Sequence, residues 1–343
     1  MTTRSAWREA LITSRERGLA LYTSTLDAHP DIQGYIGHIS QICISPIKSL
    51  GMLNLCEARV TSTGLTTTDG TFSDRSAMLG LRVPMQSEKF TRLSQREEPA
   101  LALIKARITA GNMLEYSAPN IGPLLLSGND LARHFGEDAI VQVTSDPSDV
   151  HPAVQDYRNV QWFRTFLHHN GTGKYNLDDV VLLRQAAKHR RTVEPRLSAG
   201  IDASTSFSDG GQVLIASSST LAWMNERMAS SKPDFVPIQM NAFRPNIVID
   251  GIPPNVEDLI DRLTFGTCGL RFADLCVRCP VTQVTQATGQ RRTDKEPLVW
   301  LSKHRPALPP KNTGATFAVN AVFEPAPSYV LRVGEEAVVE SEK

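Results

Sequence analysis

The sequence predicts a fold of the α+β class, mainly β, with a few helices. Three observations carry that prediction. Short runs of partly alternating apolar and polar residues recur from Tyr35 onward, separated by turn signals such as Thr68-Asp-Gly, Gly111-Asn and Ala118-Pro-Asn. Helical spacing of apolar residues is confined to a few stretches. No fixed-period repeat is visible.

Taken in order, residues 1–34 read as a helical extension, with Arg4, Arg8, Arg15 and Arg17 among scattered Ser and Thr. From Tyr35 to about Leu126 the runs Ile36–Ser45, Leu53–Ser62, Leu101–Ile108 and Met113–Ser117 are strand-like, and such a succession suits a small barrel or sandwich. Gln155–Leu167 places Val160, Phe163, Phe166 and Leu167 on one helical face. The segment 168–211 is polar and rich in Gly, Arg and Ser; it is expected to be partly an exposed insertion, with Val180–Leu183 able to supply one strand. Beyond it, Val213–Ala216, Ile247–Asp250, Gly269–Ala273, Val281–Thr285, Ala315–Phe323, Tyr329–Val333 and Ala337–Glu340 read as strands, and Ser218–Met228 as a helix.

With 36 basic and 36 acidic residues the formal net charge is zero, so no global field favours nucleic acid or an anionic membrane as partner. No apolar stretch approaches the roughly eighteen residues of a membrane span. Five cysteines, an odd number, and the lack of a secretory apolar core point to free thiols in a reducing compartment. The arginines of the first 30 residues imitate a mitochondrial leader, but Glu9, Glu16 and Asp27 count against one, and a cytoplasmic location is expected.

The most informative residues are Cys276 and Cys279 in Leu275-Cys-Val-Arg-Cys-Pro-Val-Thr. A thiolate is a soft metal ligand and a strong nucleophile, and the intervening Arg278 favours its ionised form. One C-x-x-C without a second pair does not make a structural zinc site, and Pro280–Thr285 reads as a strand where a thioredoxin-like motif needs a helix. Two buried structural cysteines are the alternative that Arg278 argues against. Basic and hydroxyl residues at turn-like places (Lys48-Ser49, Asp74-Arg75, Phe243-Arg244-Pro-Asn246) form a second set, suited to phosphate.

Other patterns fail. Gly171-Thr-Gly-Lys174 ends like a P-loop, but Tyr175 replaces the Ser or Thr that would meet Mg²⁺. His168-His169 at a helix C-terminus and the basic loop Lys188–Arg191 are ordinary placements for such side chains.

These pieces together resemble the MOSC family, the molybdenum cofactor sulfurase C-terminal domain proteins, in the form preceded by an N-terminal β-barrel. The matching stretches, in order, are Ser45-Pro-Ile-Lys-Ser-Leu, Ala58-Arg-Val-Thr-Ser-Thr-Gly-Leu, Ser73-Asp-Arg, Ser94-Gln-Arg-Glu-Glu-Pro, Phe207-Ser-Asp-Gly-Gly, Ser219-Thr-Leu-Ala-Trp-Met-Asn, Phe243-Arg-Pro-Asn-Ile-Val, Glu257-Asp258, Leu275-Cys-Val-Arg-Cys and Leu331-Arg-Val-Gly-Glu. The resemblance covers about residues 35–342. It implies a MOSC barrel over 131–343, with a polar insertion near 168–205, packed with a smaller barrel over 35–130.

It also implies a molybdenum cofactor, with Cys279 as metal ligand and catalytic residue. Lys48, Ser49, Arg75, Arg244 and Asn246 would hold the pterin and its phosphate. Val277 and Arg278 would line the same pocket, and Ser208 and Asp209 would lie near the metal, Asp209 also as a catalytic residue. The implied reaction is reduction of N-hydroxylated substrates. No ferredoxin-type cysteine set follows the last strand, so electrons are expected from a separate haem, flavin or iron–sulfur protein. A non-catalytic sulfur or cofactor carrier, or a MOSC scaffold without activity, is the alternative. The sequence departs from the family pattern at Gly210-Gly211, Ala318 and Asn320.

Overall fold

A computed structural model describes residues 31–131, 141–146, 149–156, 159–185, 191–307, 314–325 and 328–343, together with 25, 28 and 29. The helix expected over 1–34 lies almost wholly outside the described residues, as do Lys188, His189 and Arg190 of the basic loop.

Seven strands close into a barrel. Around it run Ile36–Ile44, Ile247–Asp250, Val213–Ser217, Ala315–Phe323, Cys268–Arg278, Ile260–Phe265 and Glu336–Glu342, the last pairing back onto the first. All neighbours are antiparallel except Val213–Ser217 and Ile247–Asp250. A parallel pair needs a crossover, and the helix Ser218–Ser231 supplies it, with the Ser217 hydroxyl accepting from the Thr220 amide at its start. The first described strand therefore completes a barrel whose other strands all come from beyond residue 212.

Between those strands the chain builds a second closed sheet from Ala77–Val83, Gln86–Leu93, Val141–Asp146, Asp149–Asp156 and Val180–Gln185, which pairs back onto Ala77–Val83. Ile47–Lys48 adds in parallel to its edge, opposite Ala77 and Met78. One continuous apolar core joins the two barrels, holding Ile39, Ile42, Leu263 and Phe265 with Leu79, Phe163, Phe166 and Leu182. The fold is thus mainly β, with a large barrel, a smaller one and a few helices, as the sequence predicts.

Three local differences have physical reasons. The segment 168–211 contributes a strand buried at all six positions, Val180–Gln185, because it closes the smaller barrel rather than lying on the surface. The helix expected from Gln155 begins at Val160, since 149–156 is committed to the sheet. Pro280–Gln283 forms a 3₁₀ turn where a strand was expected, and only Val284–Thr285 is extended. Pro280 has no N–H for a ladder and suits the first helical position, while the Thr282 amide and hydroxyl both donate to the Cys279 carbonyl, at 3.1 and 3.0 Å. The short helix Leu298–His304, which buries Trp300 and Leu301, carries too little periodicity to be read from sequence.

Candidate cofactor pocket

Where the two barrels meet, a cavity of about 170 Å³ opens between the Ile47–Lys48 bridge, the Ser73–Arg75 turn, the 207–211 loop, the Phe243–Asn246 turn and the end of the strand Cys268–Arg278. Every site residue named from the sequence lines it: Lys48, Ser49, Arg75, Ser208, Asp209, Arg244, Asn246, Val277, Arg278 and Cys279. Residues 161 positions apart in sequence, such as Lys48 and Asp209, are in hydrogen-bond contact here.

The backbone is bent to bring these side chains inward. Ser49, Arg75 and Arg244 have φ of +72°, +49° and +55°, a region that non-glycine residues seldom occupy and that gathers at functional sites. Asp74 and Asn246 hold the bends. Asp74 Oδ1 accepts from the Ser45 amide at 2.7 Å, and Asp74 Oδ2 accepts from Arg75 and from Asn246 Nδ2. Asn246 Nδ2 also donates to the Cys43 carbonyl, while its Oδ1 accepts from the Leu214 amide and from Arg75. Asn246 thus ties two strands of the large barrel to the Arg75 turn. On the opposite wall Gly211 lies so close to the strand Ala315–Phe323 that a Cβ would stand 2.7 Å from the Ala321 carbonyl oxygen, and one at Gly210 would meet the Asn320 amide at 2.3 Å. The Gly-Gly departure and Asn320 are therefore two sides of one contact.

The charge is lopsided. Seven basic side chains line the pocket (Lys48, Arg75, Arg92, Arg96, Arg196, Arg244 and Arg278) against one carboxylate, Asp209. Asp209 accepts from Lys48 Nζ at 2.8 Å and from Arg92 at 2.6 Å, with Arg96 at 4.0 Å. Its side chain is 58 % exposed, being open to the pocket mouth and ringed by cations on its other sides. Burial works to raise its pKa, but Lys48 and Arg92 outweigh this and hold it well below the usual carboxylate range. Burial draws Lys48 down to about 8, against the pull of Asp209, and draws Arg244 down to about 10, with Arg75 adding to the effect. One terminal nitrogen of Arg244 donates to Ser45 Oγ at 2.9 Å and to the Leu50 carbonyl at 2.8 Å.

The thiols differ sharply. Burial pushes Cys43 up to about 11 and Cys268 up to about 12, making both inert packing groups. Cys276 and Cys279 are half-buried at the pocket. Arg278 donates to Cys276 Sγ at 2.9 Å and to the Phe243 carbonyl at 2.7 Å, and its guanidinium lies over the Phe243 ring. Arg96 lines the pocket with Cys279; burial opposes its charge, but Cys279 and Asp209 raise its pKa. His168 and His169 lie on the helix Val160–Asn170 and do not line the pocket.

The stretch Ser94-Gln-Arg-Glu-Glu-Pro, a family match with no site role legible in the sequence, also builds the pocket. Arg96 lines it with Cys279, Gln95 donates to the Ser49 carbonyl at 2.8 Å, and Glu97 accepts from the Ser94 amide and hydroxyl to fix the turn. Arg92 and Arg196 have no such stretch, and Asn320, known from the sequence only as a departure from the family pattern, lines the pocket too. Arg92 follows from the strand alternation only once the barrel interior is known, and Arg196 is held across the mouth by Glu194 and Asp274, both at 2.9 Å.

The MOSC domain model matches residues 202–338, and the model of the MOSC N-terminal beta barrel domain matches residues 36–170. This chain belongs to the MOSC family. Among curated relatives, this MOSC protein is similar to "Mitochondrial amidoxime reducing component 2" of Bos taurus, 29% identical over 79% of this chain and 73% of that one. It is similar to "Mitochondrial amidoxime-reducing component 1" of Homo sapiens, 27% identical over 89% and 78%. It is similar also to "Molybdenum cofactor sulfurase" of Oryza sativa subsp. japonica, 26% identical over 78% of this chain but 31% of that longer protein. The name of the last relative ties that protein to the molybdenum cofactor. Among the described residues no helix is long and apolar enough to cross a membrane.

Proposed function

We propose that this protein binds a molybdenum pterin cofactor through Cys279 and reduces N-hydroxylated compounds with electrons from a separate haem, flavin or iron–sulfur protein. The observation that carries this reading is a half-buried thiol at the end of a cavity where cations outnumber carboxylates seven to one. Among the described residues no group of three or more His, Cys, Asp or Glu is placed to hold a metal ion. A metal held here by one protein thiolate must therefore arrive already chelated, and an anionic chelate suits the surplus of cations. Among the described residues two buried guanidinium nitrogens of pocket arginines, Arg92 Nε and Arg278 Nε, have no hydrogen-bond partner, so the polar wall is incomplete without a ligand.

In this reading Lys48, Ser49, Arg75 and Arg244 hold the phosphate end, with Asp74 and Asn246 bracing the bends that present them. Val277, Arg278 and Phe243 wall the pterin, and Cys279 is the metal ligand. Asp209 and Ser208 lie on the loop at the mouth. Asp209, ionised by its neighbours, orients Lys48, Arg92 and Arg96 around the space beside Cys279. When bound, the cofactor supplies two-electron redox chemistry: the N–O bond breaks, two protons are taken up and the oxygen leaves as water. Cleavage of amidoximes or hydroxylamines, and the donor protein, are brought to this chain by its relatives' names and by family resemblance.

Elemental analysis of protein from a cofactor-competent host, beside Cys279→Ser, tests the reading. Molybdenum equimolar with the chain and lost in the variant is expected, with turnover of a benzamidoxime using reduced viologen dye. Folded protein without molybdenum in either form would overturn it.

A further inference from the structure

Ser49 enters the pocket from a left-handed turn, φ +72°, a conformation that a non-glycine residue keeps only when its surroundings hold the backbone. Two successive carbonyls supply the hold. The Leu50 carbonyl accepts from Arg244, and the Ser49 carbonyl accepts from Gln95 Nε2 at 2.8 Å. A carbonyl only accepts, so this contact fixes which end of the Gln95 carboxamide is nitrogen. The next contacts agree with that assignment: Gln95 Oε1 accepts from Gln286 Nε2 at 2.8 Å, and Gln95 Nε2 donates to Gln286 Oε1 at 3.2 Å. The two carboxamides thus form a closed, reciprocal pair, and Gln95 is completely buried.

Gln286 belongs to the segment that Cys279 begins. The Thr282 amide and hydroxyl donate to the Cys279 carbonyl, and Val284–Thr285, which leads into Gln286, pairs with Gln290–Arg291. From the same hairpin Arg291 donates to the Arg96 carbonyl, while Lys105 donates to the Gln286 carbonyl. Gln95 is therefore gripped by its side chain, and its neighbour Arg96 by its backbone, from one hairpin. Neither Gln95 nor Gln286 lines the pocket. The wall that carries Cys279 reaches the turn that carries Ser49 through this pair of carboxamides.

We propose that the Gln95–Gln286 pair positions the anion site: it holds the Ser49 peptide so that Ser49 and Arg244 converge on one phosphate, and it makes that convergence depend on the docked segment after Cys279. The inference rests on the reading of Ser49 and Arg244 as the phosphate end of the cofactor pocket. Both glutamines act through Ser49, without touching the ligand. An anion that meets a turn already held does not have to order it, and affinity gains what that ordering would cost.

The test is the affinity of the full chain, made in a host without the cofactor, for inorganic phosphate by titration calorimetry. Gln286→Ala opens the pair from its half-buried side, and Gln95→Met removes it while keeping the volume. Gln286→Ala should weaken phosphate binding roughly fivefold, the worth of one neutral hydrogen bond. Gln95→Met should weaken it at least as much. The double variant should bind no more weakly than Gln95→Met, because Gln286 acts through Gln95. A loss of packing alone would lower the melting temperature without phosphate and leave the affinity unchanged. Gln286→Ala carries the test by itself if Gln95→Met does not fold. Wild-type affinity in Gln286→Ala would overturn the inference and leave the cofactor pocket standing. Single effects that multiply in the double variant would show two separate contributions and no working pair. A wild-type protein that binds no phosphate would overturn the inference together with the phosphate end of the cofactor reading.

Discussion

Two arginines lie against one stacked pair of aromatic rings, and their surroundings differ. Phe243 and Phe317 stack with centroids 3.8 Å apart; Arg278 sits over Phe243 and Arg305 over Phe317. Arg305 is fully buried and fully used. It donates to both carboxylate oxygens of Asp258 at 2.8 and 2.7 Å, to Asn255 and to the Thr316 carbonyl. Arg278 faces the pocket and meets a thiol and a carbonyl; among the described residues it has no carboxylate partner and its buried Nε is unbonded. A buried charge matched within the protein is architecture. One left partly unmatched beside a cavity is an invitation to a ligand.

The sharpest way to break this comparison is to remove each guanidinium in turn. Arg305→Met leaves Asp258 as an uncompensated charge in the core, and a loss of about 3–5 kcal/mol in urea unfolding is expected. Arg278→Met has no such partner to strand and should cost about 1 kcal/mol or less. Equal losses would mean that Arg278 is structural and that the pocket's open charge has been misread.

Arg244 lies between these extremes, because it is buried like Arg305 yet faces a cavity like Arg278. Truncation to Ala removes its bonds to Ser45 and Leu50 together with the phosphate contact. The charge-assisted contact alone is worth about 1.5–3 kcal/mol. Pterin retained after extensive dialysis should therefore fall roughly tenfold or more, by the usual 1.4 kcal/mol per decade. Retention at the wild-type level would place the phosphate elsewhere.

The contrast also explains what was legible in the sequence. Lys48, Arg75, Arg244 and Cys279 stand in short stretches whose order along the chain matches a family, so they were found one stretch at a time. Arg92 and Arg196 were not, because a lone arginine in a strand or polar segment has no signature until folding places it across a cavity. The large barrel's strands were mostly legible from alternation. Its closure by Ile36–Ile44 was not, since pairing a strand with partners more than 200 residues away leaves no local trace. Val180–Gln185 was only partly legible, its polar flanks hiding a fully buried run.

The sealed cluster also carries a pH signature. Burial raises both carboxyls of the Glu257–Asp258 pair, but the Arg305 fork grips Asp258, so the proton belongs on Glu257. Glu257 accepts from the Thr220 hydroxyl at 2.7 Å, and its other oxygen is buried without a hydrogen-bond partner among the described residues. Burial first, and then the Asp258 charge, push it up to about 7. A carboxyl raised on folding favours the folded state below its unfolded pKa. That contribution is lost as pH rises from about 4.5 towards 7. Glu257→Gln should flatten the stability profile across this window; an unchanged slope would move the titrating group elsewhere.

The smallest effect is expected from Lys48, on the pocket side of the comparison. Burial first, moderated by Asp209, brings its pKa from 10.5 to about 8. A lysine lowered on folding favours the folded state above its unfolded pKa, and that contribution is lost as pH falls through about 8. Anion binding runs the opposite way, since the ammonium that attracts phosphate is present below about 8 and disappears above it. Asp209, held ionised by Lys48 and Arg92, does not follow. The thermal shift given by inorganic phosphate should therefore weaken between pH 7 and 9. The change should be about 1 kcal/mol or less in binding, because one charge among several is removed. Lys48→Arg should abolish that weakening while keeping the pocket cationic. A phosphate response that stays level in the wild type would show that Lys48 keeps its proton, and that Asp209, not burial, sets its charge.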